Sequence, residues 1–104
     1  MTKTAAIPSL DKAQAFAGRT HKLFIGGHWV EPVEEESFST GNPATGKQLA
    51  LVAKATTKDV DRAVTAARGA MNSSEWSEMK PSARARLLFR LADALEANID
   101  EFAA

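Results

Sequence analysis

Lys22-Leu23-Phe24-Ile25-Gly26-Gly27-His28-Trp29-Val30-Glu31 is the stretch whose reading decides the fold of the N-terminal half. Gly26-Gly27 supplies the two positive-φ positions that a tight primed turn demands. That turn sets Ile25 opposite His28, Phe24 opposite Trp29, Leu23 opposite Val30 and Lys22 opposite Glu31. One face then carries Leu23, Ile25, His28 and Val30. The other carries an aromatic pair and an opposite-charge pair, both of which favour cross-strand neighbours. The spacing predicts a β-hairpin over residues 22–31.

Downstream, Pro32 to Glu36 is a polar connection with three successive glutamates. Ser37 to Thr40 resumes extended structure around Phe38. Asn42-Pro43-Ala44-Thr45-Gly46 is a compact turn signal, with Asn42 at the first position of a type I turn, Pro43 at the second and Gly46 as a following left-handed residue. Lys47 to Lys54 reads as a strand with Leu49, Leu51 and Ala53 on one side and Ala50 and Val52 on the other. Both of its faces are expected to be largely covered. Upstream, residues 1 to 8 read as a loose arm. Ser9 is placed to cap a short helix in which Leu10, Ala13, Phe16 and Ala17 recur at helical spacing, with Gly18 as its stop.

The second half changes period. Thr57 is read as the cap of a helix whose stripe is Val60, Ala63, Val64, Ala67 and Met71, with Asp59 and Asp61 in the first turn where the helix dipole favours negative charge. Asn72-Ser73-Ser74 ends it. Glu75 to Lys80 is a connection carrying Trp76 and Met79. Pro81 opens a second long helix with the stripe Leu87, Leu88, Leu91, Ala92 and Leu95. A further helical pattern begins at Ile99 with Phe102 and Ala103, and the chain stops at Ala104 inside that apolar segment. The expectation is therefore an N-terminal piece of something longer, truncated at Ala104.

Composition excludes several function classes. The chain has 104 residues, no cysteine, and thirteen basic against thirteen acidic side chains. There is no disulfide framework, zinc-cysteine cluster or thiol nucleophile within it. The balanced charge gives no pull toward nucleic acid or an anionic membrane. No run of about 18 apolar residues is present to span a bilayer. The first nine residues lack the apolar stretch of a secretory signal, so the expected location is cytoplasmic.

Four ordered blocks carry a family resemblance. They are Leu23 to Val30 with Phe38, then Asn42 to Gly46, then Asp59-Val60-Asp61-Arg62-Ala63-Val64-Thr65-Ala66-Ala67-Arg68, then Arg84-Ala85-Arg86-Leu87-Leu88-Phe89-Arg90-Leu91-Ala92-Asp93-Ala94-Leu95-Glu96. In this order and spacing the chain resembles the N-terminal stretch of the aldehyde dehydrogenase superfamily. The resemblance implies an α/β fold, the N-terminal part of a Rossmann-type cofactor-binding domain. Its parts are a short helix, small antiparallel β-hairpins and two long amphipathic helices. Residues 1–21 would form an arm with the short helix, and residues 22–104 the truncated domain part. The segment Leu10 to Arg19 loosely resembles leaders of the phenylacetaldehyde dehydrogenase branch, which leans the substrate toward an aryl or arylalkyl aldehyde.

The resemblance also implies a reaction. A cysteine thiolate attacks an aldehyde, hydride passes to NAD or NADP, and a glutamate-activated water hydrolyses the thioester to the carboxylic acid. None of the catalytic or cofactor-binding residues falls within these 104, whose role would be scaffold. The fragment alone is expected to take no cofactor. The parent would act on a small-molecule aldehyde as a homodimer or homotetramer, without nucleic acid or membrane. Some family members hold Na⁺ or K⁺ through backbone carbonyls just before the Asn-Pro pair. Here those positions are Thr40 and Gly41, and the alternative is a plain strand end. One departure from the family's pattern is Lys80 before Pro81, which cannot cap, so the second long helix could start a residue or two later.

Other clusters have plainer readings. His21 and His28 lack a third or fourth ligand nearby and read as ordinary strand histidines. Lys80, Arg84, Arg86 and Arg90 are interleaved with Glu78, Asp93 and Glu96, as on a solvated face. Gly26-Gly27 has no third glycine and no following helix, so it is a turn and not a phosphate loop. Phe24 and Trp29 are expected to pack against the parent domain. Two rival functions stand beside the enzyme segment: a catalytically dead remnant kept as a binding or scaffold module, and a free-standing helical interaction domain.

Overall fold

Positive φ at two adjacent glycines turns the chain back on itself. In the computed structural model, which describes residues 10–104, Gly26 has φ 61° and Gly27 φ 81°. Strand β2 (Leu23–Ile25) pairs antiparallel with β3 (His28–Val30), with Leu23 opposite Val30, Phe24 opposite Trp29 and Ile25 opposite His28. Lys22 Nζ meets Glu31 Oε1 at 2.9 Å, as the register requires. The Phe24 and Trp29 rings lie 4.9 Å apart between centroids at a 51° tilt. Leu23, Ile25 and Val30 are half-buried, whereas His28 on the same face is exposed.

A second sheet holds β1 (Thr20–His21), β4 (Ser37–Gly41) and β5 (Gln48–Ala53), in the order β1-β5-β4. β4 and β5 are antiparallel, joined by the expected turn. Asn42 O accepts from Gly46 N at 2.7 Å, Asn42 Oδ1 accepts from Ala44 N at 2.9 Å, and Gly46 has φ 68°. β1 is an addition to the sequence reading, which expected only antiparallel hairpins. It pairs parallel with β5, Thr20 opposite Leu51 and His21 opposite Val52. Two residues carry no periodicity, so only their partner makes them a strand. β5, flanked on both sides, buries Ala50 and Ala53, but Leu49 is exposed, so its faces are covered at the centre and not throughout.

Helix α2 (Thr57–Asn72) corrects the sequence reading twice. Its N-cap is Thr56, not Thr57. Of the expected stripe Val60, Ala63, Val64, Ala67 and Met71, Ala63 is half-buried, whereas Val60, Val64 and Met71 are each more than half exposed. Asp59 is buried and Ala63 and Ala66 are half-buried. Residues 59, 63 and 66 fall on one helical face. Asp59 fixes that rotation, because a carboxylate taken from water must keep its hydrogen bonds. The small alanines then admit the hairpin: a Cβ at Gly26 would lie 3.8 Å from Ala66 Cβ. Ser74–Ser77, where the sequence reading put the end of α2 at Ser74 and a connection from Glu75, form a one-turn helix α3 that packs on α2.

Those elements, residues 17–78, form one compact unit. The other joins the described part of residues 1–16 with residues 79–104. It contains α1 (Leu10–Ala17, whose last residue lies in the first unit), α4 (Pro81–Ala97) and α5 (Ile99–Ala103). The expected Ser9 cap and the 1–8 arm lie outside the described residues. Pro81 occupies the first helical turn behind Lys80, so the missing side-chain cap does not shift the start. None of α4 is buried, and its stripe Leu87, Leu88, Leu91 and Leu95 is exposed. Asn98 interrupts the helical run before α5, and its Nδ2 donates to Ala94 O at 2.8 Å. Ala13 and Phe16 of α1 face Leu91, Leu95 and Phe102 across an apolar cleft of about 480 Å³.

Candidate functional site

A polar cluster is built on Asp59, 1% exposed at the third residue of α2. Oδ2 accepts from Thr56 N at 2.9 Å and from the Thr56 hydroxyl at 3.1 Å. Oδ1 accepts from Val33 N at 3.0 Å and from Arg62 Nη1 at 3.3 Å. The carboxylate thus closes the start of α2 and ties it to the connection that follows the hairpin. In that connection Glu35 N donates to Pro32 O at 2.9 Å, and Glu35 itself takes φ 51°. The hydrogen bond from Thr56 N, with those from Val33 N and the Thr56 hydroxyl and the Arg62 charge, holds the Asp59 carboxyl below its ordinary value of 3.8, against the opposing effect of desolvation. Arg62 is half exposed, so its pairing is screened and the two backbone donors dominate.

The sequence reading placed Asp59 only as a dipole partner. The signal that identifies it is Thr56-x-x-Asp59, the spacing at which an acidic side chain reaches back to the cap's N–H. Its bond to Val33, 26 residues away, has no such local signal. What the cluster does chemically is orient structure, since its lone pairs are engaged.

Thr40 and Gly41 end β4, where the ladder shifts register. Thr40 pairs with Ala50 and Gly41 with Gln48, which leaves Leu49 as the extra residue of β5. Asn42 N then donates to Lys47 O at 2.8 Å and closes the loop. Their backbone oxygens are the donor type a hard monovalent cation takes, but two carbonyls fill only part of its shell. Among the described residues no group of three His, Cys, Asp or Glu side chains comes together. His21 lies in β1 opposite Val52, and His28 in β3 of the other sheet opposite Ile25. Phe24 and Trp29 are 61% and 63% exposed in this chain. No helix of the described residues is long and apolar enough to cross a membrane.

The sequence profile of the aldehyde dehydrogenase family matches residues 29–104. The chain belongs to the aldehyde dehydrogenase family. It is 39% identical over 103 residues to a phenylacetaldehyde dehydrogenase of Pseudomonas fluorescens, covering 99% of this chain and 20% of that relative. An NADP/NAD-dependent aldehyde dehydrogenase of Escherichia coli is 40% identical over 93 residues, 89% of this chain and 19% of its own length. An aldehyde dehydrogenase of Bacillus cereus solved as its NAD⁺ complex aligns with a TM-score of 0.82 at 37% identity, over 98% of this chain and 20% of that one. The chain therefore spans about a fifth of the length of these relatives.

Neither the Gly26-Gly27 turn nor the start of α2 forms a pyrophosphate seat. A pyrophosphate seat needs a glycine-rich turn that leads from a strand into a helix N-terminus. Gly26-Gly27 instead joins two strands, and Asp59 places its own carboxylate at the start of α2. In this aldehyde dehydrogenase family chain the α/β arrangement comprises two sheets, a helix held by its buried Asp59 and an apolar pair of helices.

Proposed function

We propose that this chain is the N-terminal scaffold segment of an NAD- or NADP-dependent aldehyde dehydrogenase that oxidises an aldehyde to a carboxylic acid through a cysteine thioester. The observation that carries the reading is the family match over residues 29–104. The phenylacetaldehyde dehydrogenase of Pseudomonas fluorescens, alike over 99% of this chain, favours an aryl or arylalkyl substrate. The chain has no cysteine, so the nucleophile belongs to residues other than these 104. In this reading the protein is cytoplasmic and assembles as a homodimer or homotetramer. The Thr40 and Gly41 carbonyls contribute two oxygen ligands to a Na⁺ or K⁺ ion whose other ligands lie outside these residues. The oxygen-only donors and the register shift at that step support this assignment.

The test has two arms. The purified 104-residue chain is assayed for aldehyde-dependent NAD(P)H formation, and no turnover is expected. Residues 22–104 are also grafted into the Pseudomonas fluorescens relative in place of its matching segment, and phenylacetaldehyde oxidation is expected to persist. Turnover by the chain alone, or a folded and correctly assembled graft without activity, overturns the proposal.

A further inference from the structure

We draw no further inference here: the strongest candidate, the apolar cleft of about 480 Å³ between α1 and the α4–α5 end, lined by Phe16, Leu91, Leu95 and Phe102, is an unpartnered apolar surface, and nothing in the structure shows what covers it.

Discussion

Replacing Gly26 by alanine should open the hairpin by an amount the backbone alone sets. Gly26 sits at φ 61°, where a Cβ crowds the following carbonyl. That costs an L-residue about 1–2 kcal/mol. The new methyl adds no clash, because its nearest neighbour is Ala66 Cβ at 3.8 Å, an ordinary contact. Gly27, at φ 81° with open space around it, should show the backbone cost only. Valine at residue 26 should cost more, up to about 3 kcal/mol, since its branched Cβ is the least tolerant of this region. Asparagine, whose side chain tolerates left-handed backbone, should recover most of the loss. Gly69 is the internal control. It lies inside α2 in open space, with nothing within 4 Å of where a methyl would stand, so alanine there should stabilise the helix by about 0.5–1 kcal/mol. Amide hydrogen exchange reads these effects locally, without requiring a cooperative global melt. A loss of about 1–2 kcal/mol lowers protection of the β2 and β3 ladder amides about 5- to 30-fold. Equal protection in Gly26→Ala and Gly69→Ala would refute the primed-turn assignment.

Three further outcomes follow from particular contacts, and a fourth from the exposed apolar faces. Asp59→Ala should raise exchange at Val33 N by on the order of tenfold or more, because two part-buried backbone donors lose a charged acceptor. The same carboxylate links stability to pH. Its folded pKa lies below the unfolded 3.8, so its contribution is present above that value and is lost as pH falls through the folded pKa. Asp59→Asn should flatten this acid limb of an unfolding profile, and an unchanged limb would show another group to be responsible. Lys22→Ala should cost under about 1 kcal/mol, since both partners of the Lys22–Glu31 pair are half exposed, and a larger loss of hairpin protection would mean the pair is not a screened surface contact. The isolated chain should bind a hydrophobic dye strongly through exposed Leu88, Phe89, Leu91 and Phe102, and Leu88→Glu with Phe89→Glu should reduce that signal, whereas weak binding by the unaltered chain would show that these faces are covered.

Most of what was legible in the sequence was decided within a few residues. The hairpin register, the Asn42–Gly46 turn and the Pro81 helix start rest on φ limits and on hydrogen bonds that close over a handful of positions. Residue type is enough to settle these, because the competing conformations are sterically excluded. The cap of α2 was misplaced by one position although Thr56-x-x-Asp59 spells it. The candidate cation ligands Thr40 and Gly41 rest on family resemblance, and local pattern adds only that a strand ends there.

Tertiary structure decided what depends on distant partners. Thr20–His21 is a strand because β5, far along the chain, offers it a parallel edge. The exposed side of α2 holds Val60, Val64 and Met71, the residues with the larger apolar surface, and of the predicted stripe Ala63 turns to the covered side, so the helix is rotated from the face that periodicity names. The reason is energetic priority. Burying Asp59 with its donors from Thr56 and Val33 satisfied allows one rotation of the helix, and the stripe of valines must follow. Hydrophobic spacing names the faces a helix can offer. A long-range hydrogen bond from Val33 chooses between them, and its two ends share no local pattern from which that choice could be read.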